Sequence, residues 1–129
     1  MLYPVLSMQI VNFTDLIVWQ KAHLLVLEIY KITRTFPTFE RFGLSSQMQR
    51  AVVSITSNIA EGFARRSKKE KLQFYYTALS SLSELINQLL ICKDLGYIDE
   101  QKFDSLEVSI VEVRKLLSGF VKSAENYSS

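Results

Sequence analysis

The chain has few of the residues that build turn-rich, disulfide-bonded or membrane-spanning proteins. Its 129 residues include 4 Gly and 2 Pro, too few turn formers for a sandwich or barrel of many short strands. A single Cys excludes an intramolecular disulfide framework and fits a reducing cytoplasm. The longest wholly apolar runs, such as residues 24–27 and 89–92, are four residues long, whereas a bilayer span needs about 20. A hydrophobic content of 48% argues against a disordered chain.

The groups that most enzymes and metalloproteins use are also scarce. His23 is the only histidine, and Gln20 stands three residues before it, where a di-iron bundle would need glutamate. The four glycines stand singly, so no glycine loop can cradle phosphate. Cys92 lies in an apolar run, where a thiol acts as a small hydrophobe. We expect no metal, no cofactor and no catalytic residue. The remaining enzymatic alternative is a polar cleft that contains Asn58 and Glu61.

The length suits one hydrophobic core. We expect a bundle domain over residues 13–125, a poorly ordered N-terminal extension over residues 1–12, and a C-terminal tail over residues 126–129. The N-terminal residues carry neither the basic region nor the cleavage site of a secretory signal, so a cytoplasmic location is expected. Met8 is an alternative start.

Four segments carry apolar residues at the three- and four-residue spacings of a helix. The first runs from about Asp15 to Phe36, with Asn12 or Thr14 as its N-cap. Pro37 ends it, because the residue before a proline is pushed out of the helical region. The second begins near residues 44–45. Its apolar residues are Leu44, Met48, Val52, Ile55, Ile59 and Phe63.

The third helix opens at Ser67, where Ser67 and Glu70 have the spacing of a capping box, and it stops at Gly96. Its apolar residues are Leu72, Tyr75, Leu79, Leu82, Ile86 and Leu89. The fourth begins at Asp99 and has the most regular pattern. Its apolar residues are Phe103, Leu106, Ile110, Val113, Leu117, Phe120 and Ala124. Because short connections make neighbouring helices antiparallel, these segments predict an all-α, up-and-down four-helix bundle.

The apolar residues exceed what one bundle core can bury. Four consecutive helical residues sweep roughly 300° around the axis, so residues 24–27 and 89–92 cannot all face one core. Residues 74–76 lead to the same conclusion. A second apolar stripe is typical of a subunit interface, and scattered surface apolar residues are the alternative. We therefore expect a homo-oligomer.

Charge is unevenly distributed although the net charge is only +2. Residues 65–71 hold five basic side chains and one acidic one, a local charge of +4. Residues 94–112 hold six acidic side chains and one lysine, a local charge of −5. The basic run at the start of the third helix is a candidate nucleic-acid site. Its residues are Arg65, Arg66, Lys68, Lys69 and Lys71, with Arg50 as a weaker candidate. The alternatives are a solvated turn, or pairing with the acidic run of a neighbouring subunit.

A polar stripe follows the second helix on the side opposite its apolar residues. Its members are Gln47, Arg50, Ser54, Asn58, Glu61 and Arg65. Small residues beside them allow another helix to approach closely. A polar seam of this kind fixes the register of packed helices or lines a cleft, and we favour the register role.

Five segments in order resemble a known bacterial family. They are VWQKA (18–22), IYKITRTFP (29–37), FGLSSQMQRA (42–51), SITSNIAEG (54–62) and LGY (95–97). The family is the four-helix bundle family named for proteins encoded in intervening sequences of 23S ribosomal RNA genes. The similarity spans residues 13–121, and the combination of Trp-Gln-Lys-Ala with Asn-Ile-Ala-Glu-Gly is specific.

The resemblance implies an antiparallel four-helix subunit that forms ring-like homopentamers. A related branch, the accessory variability protein of diversity-generating retroelements, is a basic pentameric barrel that binds a reverse transcriptase and nucleic acid; this chain carries less charge. The residues that match the family motifs bring no catalytic role. They are Trp19, Gln20, Arg50, Asn58, Glu61 and Gly62. We expect a non-enzymatic oligomer that binds RNA or DNA through its basic edge. The alternative is an adaptor that binds a partner protein and no nucleic acid.

Overall fold

The computed structural model describes residues 9–126, and within them the chain forms four α-helices and no strand. The helices are α1 (Ile17–Thr33), α2 (Leu44–Ala64), α3 (Lys68–Asp94) and α4 (Glu100–Glu125). The prediction of an all-α fold with four helices is therefore confirmed. Residues 1–8 and 127–129, which hold most of the predicted extension and tail, lie outside the described residues. Across residues 9–126, every helix is too short or too polar to cross a membrane.

The first helix begins later than the sequence predicts. Residues Phe13–Asp15 form a separate 3-10 turn, and α1 starts only after Leu16. Asn12 caps this turn, since its side-chain oxygen accepts from the Thr14 N–H at 2.8 Å. The Asp15 carboxylate accepts from the N–H groups of Val11 and Asn12, and these bonds lower the pKa of Asp15. The local side chains thus stabilise a turn in place of a first helical turn.

The first helix also ends earlier than Pro37 requires. It ends at Thr33, and the N–H groups of Thr35 and Phe36 then bond to carbonyls three residues back. This tightening lets the side chain of Phe36 turn onto the core, where it is 8% exposed. The early end of α1 thus coincides with the burial of Phe36, just before Pro37.

The predicted ends of the later helices are confirmed. The Ser67 hydroxyl accepts from the Glu70 N–H at 3.1 Å, and Asp99 caps α4 through the Lys102 N–H at 2.7 Å. Gly96 has a φ of 79° and ends α3 in a Schellman motif. In this motif the Gly96 N–H bonds to Lys93 and the Tyr97 N–H bonds to Cys92. Glycine suits this position because other residues are strained at such a φ.

Each helix packs against two others, in the cyclic order α1, α2, α3, α4 and back to α1. The helix seams are wider than predicted, because every helix faces two neighbours. In α3, Leu72, Leu79 and Ile86 are only partly buried. The additional buried positions in α3 are Ala78, Ser81, Leu85, Gln88 and Cys92. Near the end of α4, Val121 is buried and Phe120 and Ala124 pack at its margin.

Candidate nucleic-acid interface

The basic run predicted to bind nucleic acid lies where α2 passes into α3. α2 ends at Ala64 and α3 begins at Lys68. The connection is therefore short, and Ser67 in it caps the new helix. The cations of residues 65–71 gather around the first turn of α3, whose free N–H groups and dipole also favour an anion.

Two of the five cations are engaged by the protein itself. Arg65 pairs with Glu61 at 3.0 Å, and its guanidinium lies 4.9 Å from the ring centroid of Phe74. Lys71 donates to the carbonyl oxygens of Gly62 at 3.2 Å and Phe63 at 3.0 Å. These carbonyls belong to the last turn of α2, where the Gly62 carbonyl also accepts from the capping Arg65 N–H at 3.2 Å. Partial burial lowers the pKa of Lys71.

The other three cations of the run have no such partner. Arg66 and Lys69 are exposed and Lys68 is half-buried. None of the three forms an ion pair with any residue between 9 and 126. We call these three cations, Arg66, Lys68 and Lys69, the basic edge.

Arg50 lies in a different part of the surface. It lies in α2, 15 residues before Arg65 at the end of that helix, about 22 Å along the axis. It lines a groove of about 310 Å³ beside Tyr30, Ser46 and Gln49. The structure therefore does not bring Arg50 together with the other predicted nucleic-acid ligands.

The polar stripe of α2 forms contacts within the bundle. Asn58 donates to the Ser54 carbonyl at 2.7 Å and to its hydroxyl at 3.0 Å. The hydroxyl of Ser81 in α3 donates to the Ser54 hydroxyl at 2.8 Å. The Glu61 carboxylate accepts a hydrogen bond from the Arg65 guanidinium. Asn58 and Glu61 thus bond to residues one turn away along α2, and the Ser54–Ser81 bond is the contact of this stripe that links two helices.

The other family-motif residues also make packing contacts. Trp19 stacks on His23 with 4.7 Å between ring centroids and meets Phe13 edge-on at 5.4 Å. Gln20 donates to the Thr14 carbonyl at 2.9 Å, so it ties α1 to the preceding turn. Gly62 lies against Tyr75, whose Cε1 atom would be 2.4 Å from an added Cβ. Only glycine allows Tyr75 to approach α2 this closely.

Cys92 is buried and lies 3.4 Å from the sulfur of Met48. Burial raises the pKa of its thiol to about 12, so the thiolate is scarce at neutral pH. Within residues 9–126, no three His, Cys, Asp or Glu side chains are placed to hold a metal ion together.

The surplus apolar residues lie on the surface, as the helical spacing requires. Ile17, Leu24 and Leu27 are 56%, 57% and 53% exposed. Their spacings of seven and three put them on one outward face of α1. This face is called the α1 stripe below. On α3, Leu90 and Ile91 are exposed while their neighbours Leu89 and Cys92 are buried.

Sequence reasoning missed a second group of cations. Arg34 and Arg41 stand seven residues apart in the connection before α2, and both line one cavity. Charge counting does not detect two separated arginines. Ser45 and Gln49 stand four residues apart on one face of α2, but Arg41 precedes the helix, so no regular spacing in the sequence indicates this cavity.

A family model described as 23S rRNA-intervening sequence protein matches residues 14–119. A crystal structure of a protein of unknown function from the S23 ribosomal protein family of Bacteroides thetaiotaomicron is similar in fold. The TM-score is 0.77 and the identity 23%, and the match covers 82% of this chain and 96% of that one. No curated protein matches the chain significantly.

Proposed function

The chain belongs to the 23S rRNA-intervening sequence protein family, and we propose that it is a non-enzymatic, self-associating bundle that binds nucleic acid. The basic edge contacts the phosphate backbone. The observation that carries this proposal is that Arg66, Lys68 and Lys69 have no ion-pair partner in residues 9–126. The three charges lie together at the start of α3, where the helix dipole adds to their potential.

Binding of this kind does not depend on sequence. Lysine and arginine neutralise phosphates and release counterions, so affinity falls steeply as salt rises. Three cations give one subunit a weak site. Several subunits in one assembly multiply that affinity, because later contacts become intramolecular.

Fluorescence anisotropy of labelled RNA and DNA across a salt series tests this proposal. We expect binding at low salt whose salt dependence is reduced when Arg66, Lys68 and Lys69 are replaced by Gln. A matched triple variant, Lys31→Gln with Lys115→Gln and Lys122→Gln, removes the same charge elsewhere. Equal losses in the two triple variants would contradict a local site, as would no binding at low salt.

We propose that the copies associate through the α1 stripe. Its three side chains are each more than half exposed, and exposed apolar stripes of this kind mark interaction surfaces. A closed ring of five, which the family resemblance implies, would have a mass of about 5 × 14.9 kDa, near 75 kDa. Within each subunit we propose the antiparallel, up-and-down order. Contacts between α2 and α3 support it, since Met48 meets Cys92, Ser54 meets Ser81, and Gly62 meets Tyr75.

Sedimentation velocity at micromolar concentration tests the association. We expect a mass well above 14.9 kDa, which Leu24→Glu combined with Leu27→Glu reduces to the single subunit. Val108→Glu serves as the control, because Val108 is 70% exposed on α4 and outside the stripe. A single subunit in the unmodified protein would contradict the proposal.

An adaptor role is the second candidate. Phe39 and Phe42 are 79% and 89% exposed, unusually high for aromatic side chains, and both lie in the connection between α1 and α2. Aromatic side chains are enriched where proteins bind one another. A partner retained in a pull-down from nuclease-treated lysate and lost with Phe39→Ser and Phe42→Ser would favour the adaptor.

A further inference from the structure

A cavity of about 380 Å³ lies where the α1–α2 connection meets the start of α2. This volume is within the range of about 300–1,000 Å³ of small-molecule sites. Its polar lining comes from Thr33, Arg34, Thr38, Arg41, Ser45 and Gln49. Phe36 and Pro37 supply an apolar wall. The cavity therefore combines two guanidinium groups, three hydroxyls and an amide with one apolar side.

The charge in this cavity is unbalanced. Neither Arg34 nor Arg41 forms an ion pair with a residue of the described chain, and no carboxylate is among the lining residues. Glu40 is the acidic residue next to Arg41. Its two oxygens are occupied by the Leu44 N–H at 3.1 Å and the Tyr97 hydroxyl at 2.8 Å. The cavity lining thus includes two arginines and no carboxylate.

Ser45 supplies donors at the same place. The residue is 6% exposed and lines the cavity. Within residues 9–126 the buried side-chain atom without a partner is the Gln88 oxygen, so the Ser45 hydroxyl is open to the cavity and can donate to a ligand there. Ser45 also belongs to the first turn of α2, and its N–H makes no backbone hydrogen bond. The Ser45 hydroxyl and the free N–H groups at the start of α2 can both donate hydrogen bonds to an anion.

Hydrogen bonds within the protein hold another part of the cavity wall in place before any ligand binds. The Gln49 amide donates to the Thr33 hydroxyl at 3.0 Å, and that hydroxyl donates to the Ile29 carbonyl at 2.9 Å. This chain of bonds links α1 to α2 across the cavity. A site whose walls are fixed before binding loses less entropy when the ligand arrives.

We propose that this cavity binds the phosphate-monoester group of a small ligand or of an RNA 5′ end. Two guanidiniums match a monoester, which carries a charge of about −1.5 to −2 at pH 7, and arginine forms paired hydrogen bonds with phosphate oxygens. The Ser45 hydroxyl and the first turn of α2 donate to the remaining oxygens. The apolar wall of Phe36 and Pro37 faces the group that the phosphate is attached to. This site goes beyond the proposed function, because it lies at the other end of α2 from the basic edge.

Isothermal titration calorimetry with the full chain tests the site. The probes are inorganic phosphate, AMP, and a short RNA with either a 5′-phosphate or a 5′-hydroxyl. The variants are Arg34→Gln, Arg41→Gln and Ser45→Ala, and Arg66→Gln in the basic edge is the matched control. Circular dichroism verifies that each variant is folded.

We expect inorganic phosphate and AMP to bind, with each arginine variant weakening AMP binding about tenfold or more, and Ser45→Ala weakening it less. Arg66→Gln leaves AMP binding unchanged. AMP affinity falls below about pH 6, where the monoester takes up a proton. The tighter of AMP and 5′-phosphorylated RNA identifies the source of the phosphate. The proposal is overturned if AMP does not bind and the two RNAs bind equally, or if Arg66→Gln weakens AMP binding as much as the other arginine variants. If AMP binds and the two RNAs bind equally, the ligand is a small phosphate monoester and not an RNA end.

Discussion

The two connections that flank α2 carry cations in different ways. The connection into α3 is conspicuous in the sequence, because residues 65–71 concentrate five basic side chains. The fold then uses Arg65 and Lys71 to hold Glu61 and the last carbonyls of α2. The connection before α2 has two cations, Arg34 and Arg41, both exposed and set among neutral residues and Glu40. The fold brings these two to one cavity.

A count of charges along the chain therefore overestimates one proposed site and misses the other. A dense run includes side chains that the protein needs for its own helix ends. Two separated arginines become a site only when a turn returns the chain on itself. Variants of these residues should distinguish the cations that stabilise the fold from those that are free to bind a ligand.

The largest effect is expected from Gly62→Ala at the α2–α3 end. The added Cβ would lie 2.4 Å from Tyr75 Cε1 and 2.8 Å from Cδ1, and Tyr75 is 2% exposed and cannot move freely. We expect the free energy of unfolding in urea to fall by about 2–3 kcal/mol. The matched control is Gly119→Ala in α4, where no atom lies within 4 Å. It should gain about 0.5–1 kcal/mol. Similar small changes in both variants would contradict tight packing at Gly62.

Alkaline pH should weaken both ends of α2. Burial raises the pKa of Cys92 from 9.0 to about 12 and that of Tyr75 from 10.0 to about 12. Because both values are higher in the folded state, the stabilisation is complete below pH 9 and is lost as pH rises towards 12. Ionisation of Cys92 tests the end of α2 that holds Met48, and ionisation of Tyr75 tests the end that holds Gly62.

Urea unfolding between pH 8 and about pH 11.5 measures this loss. Tyr75→Phe and Cys92→Val should each remove one part of the pH dependence. Constant stability over this range would show that neither group is held in its protonated form.

A smaller effect should distinguish Lys71 from its neighbour Lys69. Lys71→Met removes the donor to two carbonyls at the end of α2, so we expect a loss of about 1–2 kcal/mol in unfolding free energy. Lys69→Met, which changes an exposed side chain, should stay within about 0.5 kcal/mol and reduce nucleic-acid affinity instead. The two lysines would have the same role if both variants changed stability equally.

The smallest effect on stability is expected at the other connection. Arg34→Gln and Arg41→Gln change exposed side chains without ion pairs in residues 9–126. Thermal unfolding should therefore show changes within about 0.5 kcal/mol, although both variants lose phosphate binding. A loss above about 1 kcal/mol in either variant would assign that arginine to the fold and not to a ligand.

Much of the fold could be predicted from the sequence. Spacings of three and four residues identified all four helices, and Ser67, Gly96 and Asp99 marked ends that the structure confirms. The ends of α1 could not be predicted, because Asn12 stabilises a competing turn. The burial of Gln88 could not be predicted either. Its side-chain oxygen is buried without a hydrogen-bond partner in the described chain, in a helix that faces two neighbours.

Less of the candidate site could be predicted. The sequence located the cations of residues 65–71. Which of them bind the protein itself and which stay unpaired depends on distances in the fold. Lys71 reaches carbonyls eight and nine residues away, and Arg65 reaches the ring of Phe74. The cavity lined by Arg34 and Arg41 depends on where Phe36 turns onto the core. No spacing in the sequence indicates that position.

The most direct test of two separate sites is a competition measurement. Labelled RNA with a 5′-hydroxyl is bound to the full chain at low salt, and AMP is added to saturation while fluorescence anisotropy is recorded. We predict that the anisotropy does not change, because the RNA backbone lies on Arg66, Lys68 and Lys69 while AMP occupies the cavity of Arg34 and Arg41. Displacement of the RNA by AMP would show that both ligands share one site and would contradict the separation of the two ends of α2.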